Sequence, residues 1–292
     1  MGTLGTGYRE TLMNSRQQDL ENSSDLNTAS NELAPFAGRS VVGTFFVGVA
    51  LLVLWEVLVR SFQIPKYLLP APSEVALALV KDAATFLAAF WFTAKITFAA
   101  LLLAATTGAL FAVLMSQNKF LERSVLPYSV LLQTTPVVAI APLLIIWLRD
   151  NTFLALVLCA WLVCVFPVIS ATATGLRAVD KNLEKIFRLY GAGRLQVLFR
   201  LQLPSALPFF LEGLRISAGL SLIGAVGGEF VAGNGGRGSG LAYLLLMASY
   251  NFQVPRVFAA LVVIALFGLC LFTVLTFATR FILRNWTEQP LT

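Results

Sequence analysis

Thr152-Phe-Leu-Ala-Leu-Val-Leu-Cys-Ala-Trp-Leu-Val-Cys-Val-Phe-Pro-Val-Ile-Ser-Ala-Thr-Ala-Thr-Gly-Leu176 contains no charged residue. A helix needs about 20 mostly apolar residues to cross a bilayer, and this run exceeds that. Three more runs are equally free of charge: Val125–Leu148 just upstream, Ile96–Met115 before it, and Val257–Thr279 near the end. Val41–Val59 carries one acid, Glu56, and Leu211–Val231 carries Glu212, Arg215 and Glu229. The six segments predict an all-α integral membrane protein with about six transmembrane helices. Composition agrees: of 292 residues, 58% are hydrophobic and only 12% charged, against about a quarter charged in soluble domains.

Lysine and arginine in short loops set orientation. Ala178–Leu203 holds Lys181, Lys185, Arg188, Arg194 and Arg200, which places it in the cytoplasm. Lys119, Arg123, Arg280 and Arg284 then fall on the same side, and both termini are expected there. This topological bias accounts for the net charge of +6, so no nucleic-acid partner is expected. Residues 1–39 are polar and hold no apolar run, which excludes a secretory signal and suits a disordered cytoplasmic tail; residues 40–292 form the membrane domain. Histidine is absent, excluding His-based catalysis and His-ligated metal. Cys159, Cys164 and Cys270 lie in apolar runs and read as small hydrophobes.

Two segments between the spans invite structural readings. In the outer segment 61–93, Leu-Pro-Ala-Pro-Ser (69–73) precedes an apolar run, Glu74–Phe90, that includes Lys81 and Asp82. Ser73 could cap that run as an interfacial or a plain connecting helix. Gly233-Asn-Gly-Gly-Arg-Gly-Ser-Gly240 lacks the Gly-Lys-Ser/Thr ending of a phosphate-binding loop and reads as a turn. Any ATP the system uses is therefore hydrolysed by another chain. The basic loop Ala178–Arg200 has the length of two short helices punctuated by Gly191, with Pro204 and Pro208 marking entry into the fifth span.

That loop resembles the coupling loop of ATP-binding-cassette importer permeases, whose pattern is Glu-Ala-Ala, three residues, Gly, nine residues, Ile-X-Leu-Pro. Here Gly191 is followed by nine residues and then Leu201-Gln202-Leu203-Pro204, while Lys185, Ile186 and Phe187 stand at the Glu-Ala-Ala positions. Leu-Pro-Ala-Pro-Ser-Glu-Val (69–75), Gln-Thr-Thr-Pro (133–136), Ala-Pro-Leu-Leu-Ile-Ile-Trp (141–147) and Gly-Leu-Arg-Ile (213–216) resemble permeases for sulfonates, nitrate, bicarbonate and vitamin precursors. Ile-Gly-Ala-Val-Gly-Gly-Glu-Phe (223–230), Gly-Leu-Ala-Tyr (240–243) and Val-Phe-Ala-Ala-Leu (257–261) look most like the branch handling thiamine-pyrimidine precursors and riboflavin. The resemblance implies the type I importer permease fold and a coupling loop over about 177–204. Lys185, Gly191, Ala192, Leu201, Leu203 and Pro204 would serve the ATPase contact. It also implies a non-catalytic subunit in a bacterial inner membrane, ATPase subunits that use ATP and Mg, and a periplasmic or lipid-anchored binding protein; six helices with one coupling loop make half a pathway, so a second copy of this chain is expected. No cofactor or metal is expected on the chain itself.

Polar groups inside spans are functional candidates by default. Gln133, Thr134 and Thr135 beside Pro136 either satisfy a broken helix or line the pathway. Glu229, beside Gly227 and Gly228, either pairs across a helix interface or faces the pathway. Glu212 and Arg215 share a helical face and read as a structural pair; Lys95 reads as snorkelling from the outer mouth of the second span. A competing reading, an ion-gradient-driven secondary transporter, calls for inverted repeats of broken helices, which the sequence does not display.

Overall fold

The computed structural model describes residues 36–117, 137–233 and 239–284, and among them there are helices and no strands. The expected tail, the pathway candidates Gln133, Thr134 and Thr135, and the middle of the Gly-rich turn lie outside the described residues. The chain divides into two compact units, Met1–Gln63 and Ile64–Thr292. The first contains α1, Phe36–Ser61, where Glu56 and Arg60 form an i,i+4 ion pair at 2.6 Å.

The second unit contains α2 (Pro72–Lys81), α3 (Ala83–Gln117), α4 (Val137–Trp147), α5 (Thr152–Arg177), α6 (Lys181–Leu189), α7 (Arg194–Ala232), α8 (Leu241–Tyr250) and α9 (Val254–Leu283). Of the described helices, α3, α5, α7 and α9 are long and apolar enough to cross a membrane. They account for four of the six expected spans. Val41–Val59 lies within α1, and of Val125–Leu148 only the 11-residue α4 and its flank are described.

Two boundaries differ from expectation. The Glu74–Phe90 run is not one helix, because α2 ends at Asp82 and α3 starts at Ala83. Asp82 accepts an ion pair from Arg256 at the start of α9 (3.2 Å), which anchors the corner. Ser73 is also not the cap. α2 begins one residue earlier, with Ala71 at the N-cap and Pro72 supplying its preset φ at the first position. The second correction is at Pro204. α7 runs 39 residues without a break, about 58 Å at 1.5 Å per residue, so the second loop helix and the fifth span are one rod. A proline ring crowds the carbonyl four residues back and gives it no N–H. The wider π-helical turn Leu198–Gln202 immediately before Leu203-Pro204 accommodates that.

The core is a three-helix seam with α5 at its centre. α7 turns small buried residues toward α5 at Gly213, Ser217, Ser221, Gly224 and Gly228, spaced along one face. A Cβ on Gly213 would strike the Pro167 carbonyl and Ala171, and one on Gly224 would strike the Ala160 backbone. Close approach of this kind replaces the hydrophobic drive that lipid cannot supply. Two polar side chains in the seam are paired across it. Ser217 Oγ donates to the Cys164 carbonyl (2.6 Å), and Trp161 Nε1 donates to Thr107 Oγ1 of α3 (2.9 Å). Outward, α3 and α9 display large apolar side chains such as Leu102, Leu269 and Phe277, a surface suited to lipid rather than water.

Candidate functional site

Three clusters of polar and exposed residues stand out, and α7 connects them. The first is the α6 turn. Asp180 opens α6 by accepting from the Asn182 amide at 2.8 Å, an N-cap role its short carboxylate favours. The helix closes at Gly191, whose φ of +74° is the left-handed conformation glycine adopts without penalty. The Ala192 amide reaches back to the Phe187 carbonyl at 3.0 Å. Gln196 Oε1 then accepts from the Gly193 amide (2.9 Å) to start α7. No residue of α6 is buried.

The six residues read from the coupling pattern separate into two groups. Lys185 is exposed on α6, and Gly191 and Ala192 form the turn. Leu201 is buried, while Leu203 and Pro204 are half-buried. Next to them, Leu198 packs with Ala112, Ala173, Leu176 and Ala206, with Leu203 against that cluster. These residues root the turn in the membrane unit. The surface offered outward is Leu183, Ile186 and Tyr190, all exposed, with Lys185 beside them. Their i, i+3, i+7 spacing was legible as one helical face, and sequence reasoning overlooked it. Glu184, one residue before the expected acidic position, is engaged with Arg188 at 2.6 Å.

At the other end of α7, Glu229 is 3% exposed. Thr93 Oγ1 of α3 donates to Glu229 Oε1 (2.8 Å), the Ala242 amide donates to Oε2 (3.0 Å), and the Leu241 amide donates to Thr93 Oγ1 (2.9 Å). Leu241 and Ala242 open α8, whose first amides have no partner within the helix; a carboxylate there also complements the helix dipole. Gly240 makes room, since a Cβ at that position would overlap the Glu229 carboxylate. Of the two readings of Glu229, the structure shows the cross-interface pairing, joining α3, α7 and α8.

Midway between lies the pair Glu212 and Arg215. Arg215 Nη1 is 3.4 Å from Glu212 Oε2, and its guanidinium sits 4.4 Å above the Phe272 ring of α9. Arg215 Nε is buried without a hydrogen-bond acceptor. The Glu212 side chain is 54% exposed and that of Arg215 30%. Lys95 is exposed on α3, which begins well before it at Ala83.

Comparison with known proteins places this architecture. The family model described as binding-protein-dependent transport system inner membrane component matches residues 100–287. The formylaminopyrimidine transport permease protein ThiX of Halalkalibacterium halodurans is 34% identical over 75% of this chain and 86% of its own length. The riboflavin transport system permease protein RibX of Chloroflexus aurantiacus is 32% identical over 80% and 86% respectively. Among solved structures, the inward-facing MetNI methionine ABC transporter shares the fold at a TM-score of 0.57 and 19% identity, covering 70% of this chain and 96% of that one. The seam of spans, the basic loop helix and these matches lead to one conclusion: the chain belongs to the binding-protein-dependent transport system inner membrane components, the non-catalytic permease subunits of ATP-binding-cassette importers.

Proposed function

We propose that two copies of this chain enclose the route by which a small heterocyclic nutrient crosses the bacterial inner membrane. ATPase subunits dock on α6, and a binding protein delivers the solute from the opposite side. The observation that carries the coupling part is the continuity of α7, which leads from the Gly191 turn to the Glu229 clasp as one helix. A partner that grips Leu183, Ile186 and Tyr190 moves α6. Because Leu198 and Leu201 are packed into the membrane unit, that motion passes into α7 as rigid-body rocking rather than loop flexing. The two conformations interconvert only if each bound state of the ATPase favours one of them.

The basic loop is cytoplasmic in this reading, both termini share that side, and ATP with Mg belongs to the partner. The heterocycle reading is supported by relatives named for formylaminopyrimidine and riboflavin, which match over most of the chain. Relatives named for aliphatic sulfonates and nitrate match over 57% and 58% of it. A carrier driven by an ion gradient would need an embedded carboxylate free to exchange partners, and Glu229 is engaged on both oxygens. The test is ATP hydrolysis by the complex reconstituted with a candidate ATPase and binding protein. Hydrolysis stimulated by loaded binding protein and lost in Ile186→Asp, with insertion intact, is the expected result. Ion-gradient-driven transport with no co-purifying ATPase would refute the proposal.

A further inference from the structure

The basic loop carries more positive charge than its own acids balance. Ala178–Leu203 holds Lys181, Lys185, Arg188, Arg194 and Arg200 against Asp180 and Glu184. Both acids are committed within the chain: Asp180 caps α6 through the Asn182 amide, and Glu184 holds Arg188 at 2.6 Å. Lys185 is exposed, and among the described residues no acid pairs with it. At about 100° of helical turn per residue, Lys185 borders the outward apolar face of α6 at its Leu189 edge, while the Glu184–Arg188 pair borders the opposite edge. Leu189 is 84% exposed and Tyr190 is 88% exposed, so the apolar face and its cation are presented together.

We propose that Lys185 selects the ATPase subunit: the cleft that receives α6 carries a carboxylate at the Leu189 edge, and an ATPase with a cation at that point is turned away. This rests on the importer reading above and deepens it. An ammonium enclosed beside an apolar contact loses its water, and an unpaired enclosed charge is strongly unfavourable. Since the loop's own acids are engaged elsewhere, the negative charge comes from the partner. The coupling pattern has glutamate at this position and this chain has lysine, so the partner's group has the opposite sign to one fitted to glutamate. Like charges set against each other reject the wrong partner more sharply than a good contact rewards the right one. The arrangement also favours a protein over an anionic lipid surface. A lipid surface attracts cations on both edges of an amphipathic helix, whereas α6 has a bare cation on one edge and a neutralised pair on the other.

The test uses the full-length chain with the ATPase subunit that co-purifies with it, in nanodiscs of phosphatidylcholine and, separately, of phosphatidylglycerol. A carbodiimide joins an amine to a carboxylate without a spacer, and peptide mass spectrometry identifies the joined residues. The expected product in both lipids is Lys185 joined to one aspartate or glutamate of the ATPase. Lys185→Arg keeps the charge but has no amine to couple, so it should lose the product and retain hydrolysis stimulated by loaded binding protein. Lys185→Glu should lower that hydrolysis about fivefold or more at low salt, and by less at high salt. Changing the joined ATPase acid to lysine should restore it. No product between Lys185 and the ATPase while hydrolysis is still stimulated would overturn the inference and leave the importer reading standing. Hydrolysis undiminished in Lys185→Glu would do the same. A loss confined to phosphatidylglycerol would assign Lys185 to lipid headgroups and overturn it too. If no ATPase subunit co-purifies, the importer reading fails and takes this inference with it.

Discussion

Glu212 and Glu229 are the same residue type on the same helix, yet the protein treats them in opposite ways. Glu229 has 3% exposure and accepts from two donors, Thr93 and Ala242. Glu212 is half exposed and has one stretched contact, 3.4 Å from Arg215. A buried carboxylate is tolerated only where its hydrogen bonds are complete, so the Glu229 end of α7 is a fixed joint. The Glu212 region keeps polar capacity in reserve. One helix therefore carries a buried anchor at one end, an exposed turn at the other, and a half-exposed charge pair between them.

The comparison breaks first at Glu229. Glu229→Ala strips the acceptor from Thr93 and from the α8 amide, and should cost about 3 kcal/mol or more, since each stranded buried donor costs about 1–3 kcal/mol. Thermal unfolding of the purified chain measures it; a loss no larger than that of Glu212→Ala would end the distinction. Gly240→Ala should cost about 1–3 kcal/mol by overpacking, because the added methyl overlaps the carboxylate. In a Glu229→Ala background that cost should shrink, which a double-mutant cycle would reveal. Thr93→Val is isosteric and leaves the Leu241 amide unpaired, for about 1–2 kcal/mol.

Gly191→Ala sharpens the contrast at the other end. A side chain at φ +74° costs about 1–2 kcal/mol, but nothing crowds the site. ATPase stimulation should therefore fall more than stability does, as measured by hydrolysis and unfolding on the same preparation. Glu212→Gln comes last. Its partner is partly exposed and the contact is long, so thermal unfolding should show a stability change of about 0.5 kcal/mol or less.

Much of this was legible in the residues because the signals are local. Thr152–Leu176 announces a span by composition alone, and α5 covers it. Gly191 announces a turn because few other residues take positive φ, and α6 stops just before it. The misreadings share a cause. Pro204 looked like a boundary because an isolated helix breaks at proline, but here a π turn and packing against Ala112 and Leu176 carry the helix through. Leu201 and Leu203 of the coupling pattern pack inward and leave Leu183, Ile186 and Tyr190 as the outward face, a division that packing makes and spacing alone does not.

What the sequence by itself determined was the solvent of this protein and its family. Uncharged runs of more than 20 residues have only one stable surrounding, and the spacing from Gly191 to Pro204 survives in linear form. What only the tertiary structure decided was the role of each charge. Glu229 meets Thr93 across 136 residues of chain and Ala242 across 13, and no local pattern encodes such a meeting. Whether a carboxylate in a membrane span is clasped or left half exposed depends on which donors the packing brings to it, and that is settled only when the helices are side by side.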